Sequence, residues 1–143
     1  MLRNIPDIIS PQLMQVMMEM GHGDEICLGD ANFPDVSMGK RVVWMEGHTV
    51  PQVLEAMLQF FPLDTFVKKP CTLMASPDGE PKAWAKFREA IEANDFAGAF
   101  KDGFELVDRF DFYDRARNCF AVVSTSEHEA YSCLILKKGV IFK

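Results

Sequence analysis

Residues 19–34 read EMGHGDEICLGDANFP, and the change of period inside this stretch sets the fold class. Upstream, Ser10-Pro11 opens a helix: serine is a favoured N-cap and proline suits the first helical position. Leu13, Val16, Met17 and Met20 follow at helical spacing, and Gly21 marks the stop. Beyond the turn, EICLG (25–29) is a short apolar run that reads as a strand ending at Asp30. A helix handing over to a buried strand through so short a turn is the start of an alternating chain.

The alternation continues. RVVWM (41–45) reads as a strand, Glu46-Gly47 as a turn, and Thr49-Val50-Pro51 as the start of a helix through about Phe61, with Leu54, Met57, Leu58 and Phe61 on its buried face. TFVKKPCTLMA (65–75) reads as a strand with Pro70 at an edge or bulge. After the SPDG turn (76–79), Trp84, Phe87 and Ile91 give helical spacing to about Ala93. FELVDRF (104–110) reads as strand, Phe112 to Arg117 as a short helix, and Phe120–Ser124 and Cys133–Leu136 as two late strands joined by a segment carrying Glu127, His128 and Glu129. The expected class is α/β, with a mixed, mainly parallel sheet flanked by helices. There is no internal repeat, low-complexity stretch or linker, so residues 1–143 are read as one domain.

The bulk numbers exclude several functions. The chain carries 48% hydrophobic and 25% charged residues, ordinary for a globular protein, with net charge -6 and pI near 5.0. An acidic surface argues against nucleic acid or an anionic membrane as partner and suits a neutral or cationic small ligand. No apolar run approaches the roughly 18 residues of a membrane span. MLRNIPDIISPQL lacks the apolar core of a signal peptide. The four cysteines (Cys27, Cys71, Cys119, Cys133) are widely spaced without a Cys-x-x-Cys, so buried free thiols and a cytoplasmic location are expected.

Two residues in the opening stretch could carry chemistry. His22 lies just past a helix end between two glycines, which leave room for a ligand. A histidine there is suited to giving and taking a proton; as a plain helix-end residue it would do no chemistry. Asp30 falls at the C-terminal end of a strand, the edge where open α/β sheets bind ligands. Its carboxylate can accept hydrogen bonds from two hydroxyls, as a sugar requires, or it can cap the following turn. His22, Asp24 and Asp30 as a metal trio is the weaker reading, because no second histidine lies nearby. Gly21-His22-Gly23 lacks the third glycine of a phosphate-binding loop, and no serine sits in Gly-x-Ser-x-Gly. Further on, Arg109 is the charge of interest in RFDFYDRAR (109–117), and Tyr131-Ser132-Cys133 opens the last strand.

Taken together, EMGHGDE (19–25), DANFP (30–34), SMG (37–39), RFDFYDRA (109–116) and LILKKGV (134–140) make the chain resemble the L-fucose mutarotase/D-ribose pyranase family, closer to the fucose side, in the same order over nearly its whole length. The resemblance implies a cofactor-independent, metal-free isomerase that interconverts the anomers of a free reducing sugar, most simply L-fucose. It also implies a homo-oligomer, often a decameric ring. It assigns His22 as proton donor and Asp30, Arg109 and Tyr131 to Cys133 as sugar-binding residues. The family's Tyr-x-Asn is Tyr131-Ser132-Cys133 here. An amide offers two donors and an acceptor and a thiol one weak donor, so the change bears on sugar preference rather than on the reaction. Strand alternation puts Tyr131 and Cys133 on one face and Ser132 on the other, which predicts a backbone contact from Cys133 with its thiol turned to the core. The competing readings are a ribose ring-form isomerase, a non-catalytic sugar-binding accessory to uptake, and a metal hydrolase lacking its second histidine.

Overall fold

The computed structural model describes residues 1–143. Eleven elements follow one another along it, helix and strand alternating up to β5: α1 (Pro11–Glu19), β1 (Glu25–Gly29), α2 (Asp35–Met38), β2 (Val42–Met45), α3 (Val50–Leu58), β3 (Cys71–Met74), α4 (Lys82–Asn94), β4 (Glu105–Val107), α5 (Arg109–Asn118), β5 (Ala121–Thr125) and β6 (Leu134–Lys137). Local chemistry fixes the helix starts. Ser10 Oγ accepts from the Leu13 amide at 3.1 Å, and Thr49 and Gln52 form a reciprocal capping box at α3.

The strands make one six-stranded sheet in the order β2-β5-β1-β6-β3-β4. β2, β5 and β1 pair in parallel, as do β3 and β4; β6 is antiparallel to both β1 and β3. Five strands therefore point one way and β6 alone points back, the mixed, mainly parallel sheet expected. Side-chain alternation divides the core. Ile26, Leu28, Val123, Leu134 and Leu136 face α1, α3 and α4 in the larger cluster. Cys27, Val122, Cys133 and Ile135 face α5 and the Phe33 loop in the smaller one. All four cysteines are free and buried.

Two boundaries differ most from the sequence reading. The strand expected over residues 65–75 is only Cys71–Met74, because the Asp64 carboxylate turns the chain by accepting from the Phe66 amide at 3.0 Å and leaves Phe66 exposed. The strand expected over 104–110 stops at Val107. There the Asp108 carboxylate accepts from the Asp111 amide at 2.9 Å and starts α5 at Arg109, so Arg109 is the first residue of a helix. The stop of α1 agrees with the expected one: the helix ends at Glu19 with Met20 as its C-cap, directly before Gly21, and it is Gly23 that adopts φ +83°.

Candidate functional site

The C-terminal ends of the parallel strands share one edge of the sheet with the N-terminal end of the reversed β6. Asp30 leaves β1 there, Met74 ends β3, Arg109 follows β4, and Tyr131 and Cys133 lead into β6. With Asn32, Phe33, Tyr113 and Ala130 they line a cavity of about 180 Å³. Three depressions are larger: one of about 250 Å³ between Pro6 and the α3 residues Gln52 and Glu55, and two of about 720 and 420 Å³ lined mainly by apolar groups of the N-terminal segment and of the C-terminal tail. Neither of the last two gathers a convergent polar set, whereas the smallest cavity holds a carboxylate, a guanidinium and two phenols at the strand ends where α/β sheets bind ligands.

Asp30 forms the floor of this cavity and is 4% exposed. Its Oδ1 accepts from the Asn32 amide at 2.9 Å and its Oδ2 from the Cys133 thiol at 3.2 Å. It therefore caps its own turn, one of the two expected readings, and each oxygen has a further lone pair. Burial, and then the charge of Asp30, pushes the Cys133 thiol well up, so the sulfur stays protonated and donates. One layer below sits Asp35, whose Oδ2 accepts from Ser124 Oγ at 2.6 Å. Its Oδ1 is buried without a partner. Burial pushes the Asp35 carboxyl up to about 6; the Ser124 hydrogen bond opposes the shift and the Asp30 charge adds to it. A Cβ at Gly29 would collide with the Asp35 carboxylate and the Phe33 ring, so the glycine lets this acid pack against β1.

The Tyr131-Ser132-Cys133 segment keeps the expected alternation of side chains, Tyr131 and Cys133 towards the cavity and Ser132 not, although its backbone is not strand. Tyr131 takes φ +61° and β6 begins only at Leu134. Tyr131 and Cys133 both line the cavity, and the Cys133 thiol donates to Asp30. The thiol is thus in the smaller core cluster, as expected, and from there it also donates to the Asp30 carboxylate. Ser132 is fully buried, its Oγ has no hydrogen-bond partner, and its side chain is not part of the cavity wall. Tyr113 is a cavity residue that the sequence reading missed. It stands four positions after Arg109 on α5, the spacing that puts both on one helix face. The misplaced start of α5 hid that pairing.

His22 lies elsewhere. It precedes β1 and Asp30 follows it, so the two lie beyond opposite ends of a five-residue strand whose four steps span roughly 13 Å at about 3.3 Å each. The His22 ring is 44% exposed. Its Nε2 is 3.1 Å from Asp64 Oδ1, and it packs tilted on Phe66 at 5.0 Å between centroids. A carboxylate only accepts, so Nε2 carries the hydrogen of this contact and Nδ1 is left free for a ligand. The end of β6 and the residue after it hold the pair together: the Gly23 amide donates to the Lys138 carbonyl and the Asp64 amide to the Lys137 carbonyl. Asp24 does not touch the imidazole; its Oδ2 accepts from the Gly21 amide at 2.8 Å and closes the turn. His22, Asp24 and Asp30 therefore do not assemble into one cluster. Asp64, buried beside His22, had no signal in the local sequence.

The family profile described as the RbsD / FucU transport protein family matches residues 3–141. The chain belongs to this family. A fucose mutarotase of Mus musculus is 39% identical over 149 residues, covering 98% of this chain and 95% of the relative. The crystal structure of the fucose mutarotase in complex with L-fucose from Streptococcus pneumoniae superposes with a TM-score of 0.91 at 38% identity, over 99% of this chain and 100% of that one. Bacillus subtilis RbsD complexed with D-ribose has a TM-score of 0.72 at 20% identity, over 94% of this chain and 95% of that one, a likeness of fold. The mixed sheet with a reversed β6 is thus the family architecture.

Proposed function

We propose that the protein is a cofactor-independent mutarotase that interconverts the α and β anomers of L-fucose. The observation that carries this reading is the cavity at the strand ends, with Asp30 on its floor and Arg109 and Tyr131 on its walls, in a chain of 38% identity and matching length to a fucose mutarotase whose structure holds L-fucose. Asp30 accepts hydroxyl hydrogen bonds, Arg109 and Tyr131 bind further oxygens, and Cys133 reaches the sugar through its contact with Asp30. Ser132 contributes backbone only, since its side chain is enclosed.

The reaction needs one proton delivered to the ring oxygen and one taken from the anomeric hydroxyl. The C1–O5 bond breaks, the aldehyde rotates about C1–C2, and the hydroxyl recloses on the other face with both protons returned. His22 is the proton donor in this scheme, giving the Nδ1 proton of its imidazolium form while Asp64 holds the Nε2–H. A positioned acid or base contributes roughly 10²–10⁴-fold, enough for a ring opening that is intrinsically easy. Since His22 and Asp30 stand at opposite ends of β1, the sugar over Asp30 receives His22 from a neighbouring copy. The working enzyme is then a homo-oligomer, and a decameric ring is the assembly we favour. No helix is long and apolar enough to cross a membrane, and four unpaired cysteines support a reducing, cytoplasmic setting.

Saturation-transfer NMR on L-fucose, D-ribose and D-galactose tests the reading. Transfer between the anomer signals of L-fucose, faster than for the other two sugars, is expected. Faster exchange of ribose ring forms would make the protein a pyranase. Sugar binding without exchange would make it an accessory.

A further inference from the structure

Tyr131 is held in its left-handed conformation from outside its own loop. Its carbonyl accepts from the Trp84 indole Nε1 at 3.0 Å. Trp84 sits in the first turn of α4 and is buried. Two residues before Tyr131, the Glu129 carboxylate accepts from the Lys82 amide at 2.7 Å and from the Ala83 amide at 2.8 Å. Pro81, at the N-cap of α4, makes no side-chain cap of its own. Glu129 therefore caps this helix from a distant point in the chain and is favoured there by the helix dipole. The tie continues to the other side of the cavity. The Glu129 amide donates to Glu127 Oε1 at 3.0 Å. The Glu127 carbonyl accepts from the Ala31 amide at 2.8 Å, next to Asp30.

We infer that Trp84 and Glu129 are positioning residues that use the rigid start of α4 to set Tyr131 over the sugar cavity. A tyrosine is rarely found at positive φ and persists there only where its surroundings over-determine it. Here the surroundings are one indole N–H on the carbonyl and one doubly anchored carboxylate upstream. Neither Trp84 nor Glu129 lines the cavity, so their influence on the sugar passes through Tyr131. The inference rests on the proposed function for its consequence, and on geometry alone for the placement of Tyr131.

The test uses the whole protein labelled with fluorotyrosine. The chain has two tyrosines, Tyr113 and Tyr131, so two ¹⁹F lines are expected, and Tyr131→Phe identifies one of them. In Trp84→Phe, which keeps the aromatic bulk and removes the donor, the Tyr131 line should shift and broaden without sugar while the Tyr113 line stays. Glu129→Ala should do the same by a more exposed change, and Glu129→Gln, which retains one acceptor oxygen, should restore part of it. In anomer exchange, Trp84→Phe should raise KM for L-fucose by about 3- to 10-fold, the size of one lost hydrogen bond. Its kcat should stay within about twofold, and it should add little to Tyr131→Phe, as coupled residues do. An unmoved Tyr131 line in both Trp84→Phe and Glu129→Ala overturns the inference, as does an effect on KM fully additive with Tyr131→Phe. Wild-type protein without exchange, in which the Tyr131 line still responds to Trp84→Phe, overturns the mutarotase reading and leaves the positioning role standing.

Discussion

His22 and Asp30 stand at opposite ends of strand β1, one before Glu25 and the other after Gly29. The strand between them spans roughly 13 Å, and each side chain is engaged at its own end, His22 with Asp64 and Asp30 with Cys133 and the Asn32 amide. If both act on one sugar, they come from two copies. Mixing His22→Gln and Asp30→Asn chains, dissociating and reassembling them, should then restore activity that neither variant has alone. With random pairing about a quarter of the sites would carry both native residues. Mixed assemblies as inactive as the single variants would confine the site to one chain.

His22→Gln alone should lower anomer exchange by about 10²-fold or more. Asp64→Asn keeps an acceptor for the Phe66 amide and removes the charge beside Nε2. It should lower exchange by about 10-fold or more, with the circular dichroism of the wild type. Saturation-transfer NMR measures both. Native exchange rates in Asp64→Asn would remove this aspartate from the mechanism.

Asp30→Asn retains an oxygen for the Asn32 amide, so the turn should survive and the melting temperature should change little. Loss of the charged acceptor should weaken L-fucose binding by about 1.5–3 kcal/mol, measured by calorimetric titration. Unchanged affinity with a lowered melting temperature would make Asp30 a structural cap.

Cys133→Asn places an amide where a thiol now meets Asp30 Oδ2. Because this side chain is on the cavity side, the ratio of exchange rates on L-fucose and D-ribose should move by about threefold or more, as one altered hydrogen bond allows. A constant ratio with altered stability would return Cys133 to a backbone-only role.

Asp35 should make stability fall as pH rises. Its folded-state carboxyl sits at about 6, above the usual 3.8, so the folded protein binds this proton more tightly than the unfolded chain. The contribution is fully present below about pH 4 and is lost as pH rises through 6. Asp35→Asn stays neutral and still accepts from Ser124, so it should melt higher than wild type at pH 7.5, with the difference shrinking towards pH 4. Calorimetric scans running in parallel from pH 4.5 to 7.5 would contradict a buried proton on Asp35.

The sequence by itself determined the elements whose burial follows a simple period. EICLG is a strand because its residues pack on both faces of the sheet, and α1 and α3 begin where Ser10 and Thr49 can cap. Their order, alternating helix and strand, was enough for the α/β class. It also determined that His22 precedes β1 and Asp30 follows it. Where short polar side chains redirect the backbone, period misleads: Asp108 converts an apolar run into the start of α5, and Asp64 turns the chain before β3. Only the tertiary structure decided which groups meet. Asp64 reaches His22 across 42 positions because the end of β6 and the residue after it run between their loops. Asp30 meets Cys133 across 103 positions because β6 runs against β1. Tyr131 leaves strand geometry because α4, far away in sequence, holds its carbonyl. These contacts arise from strand order and crossing loops, and local residue spacing carries no record of either.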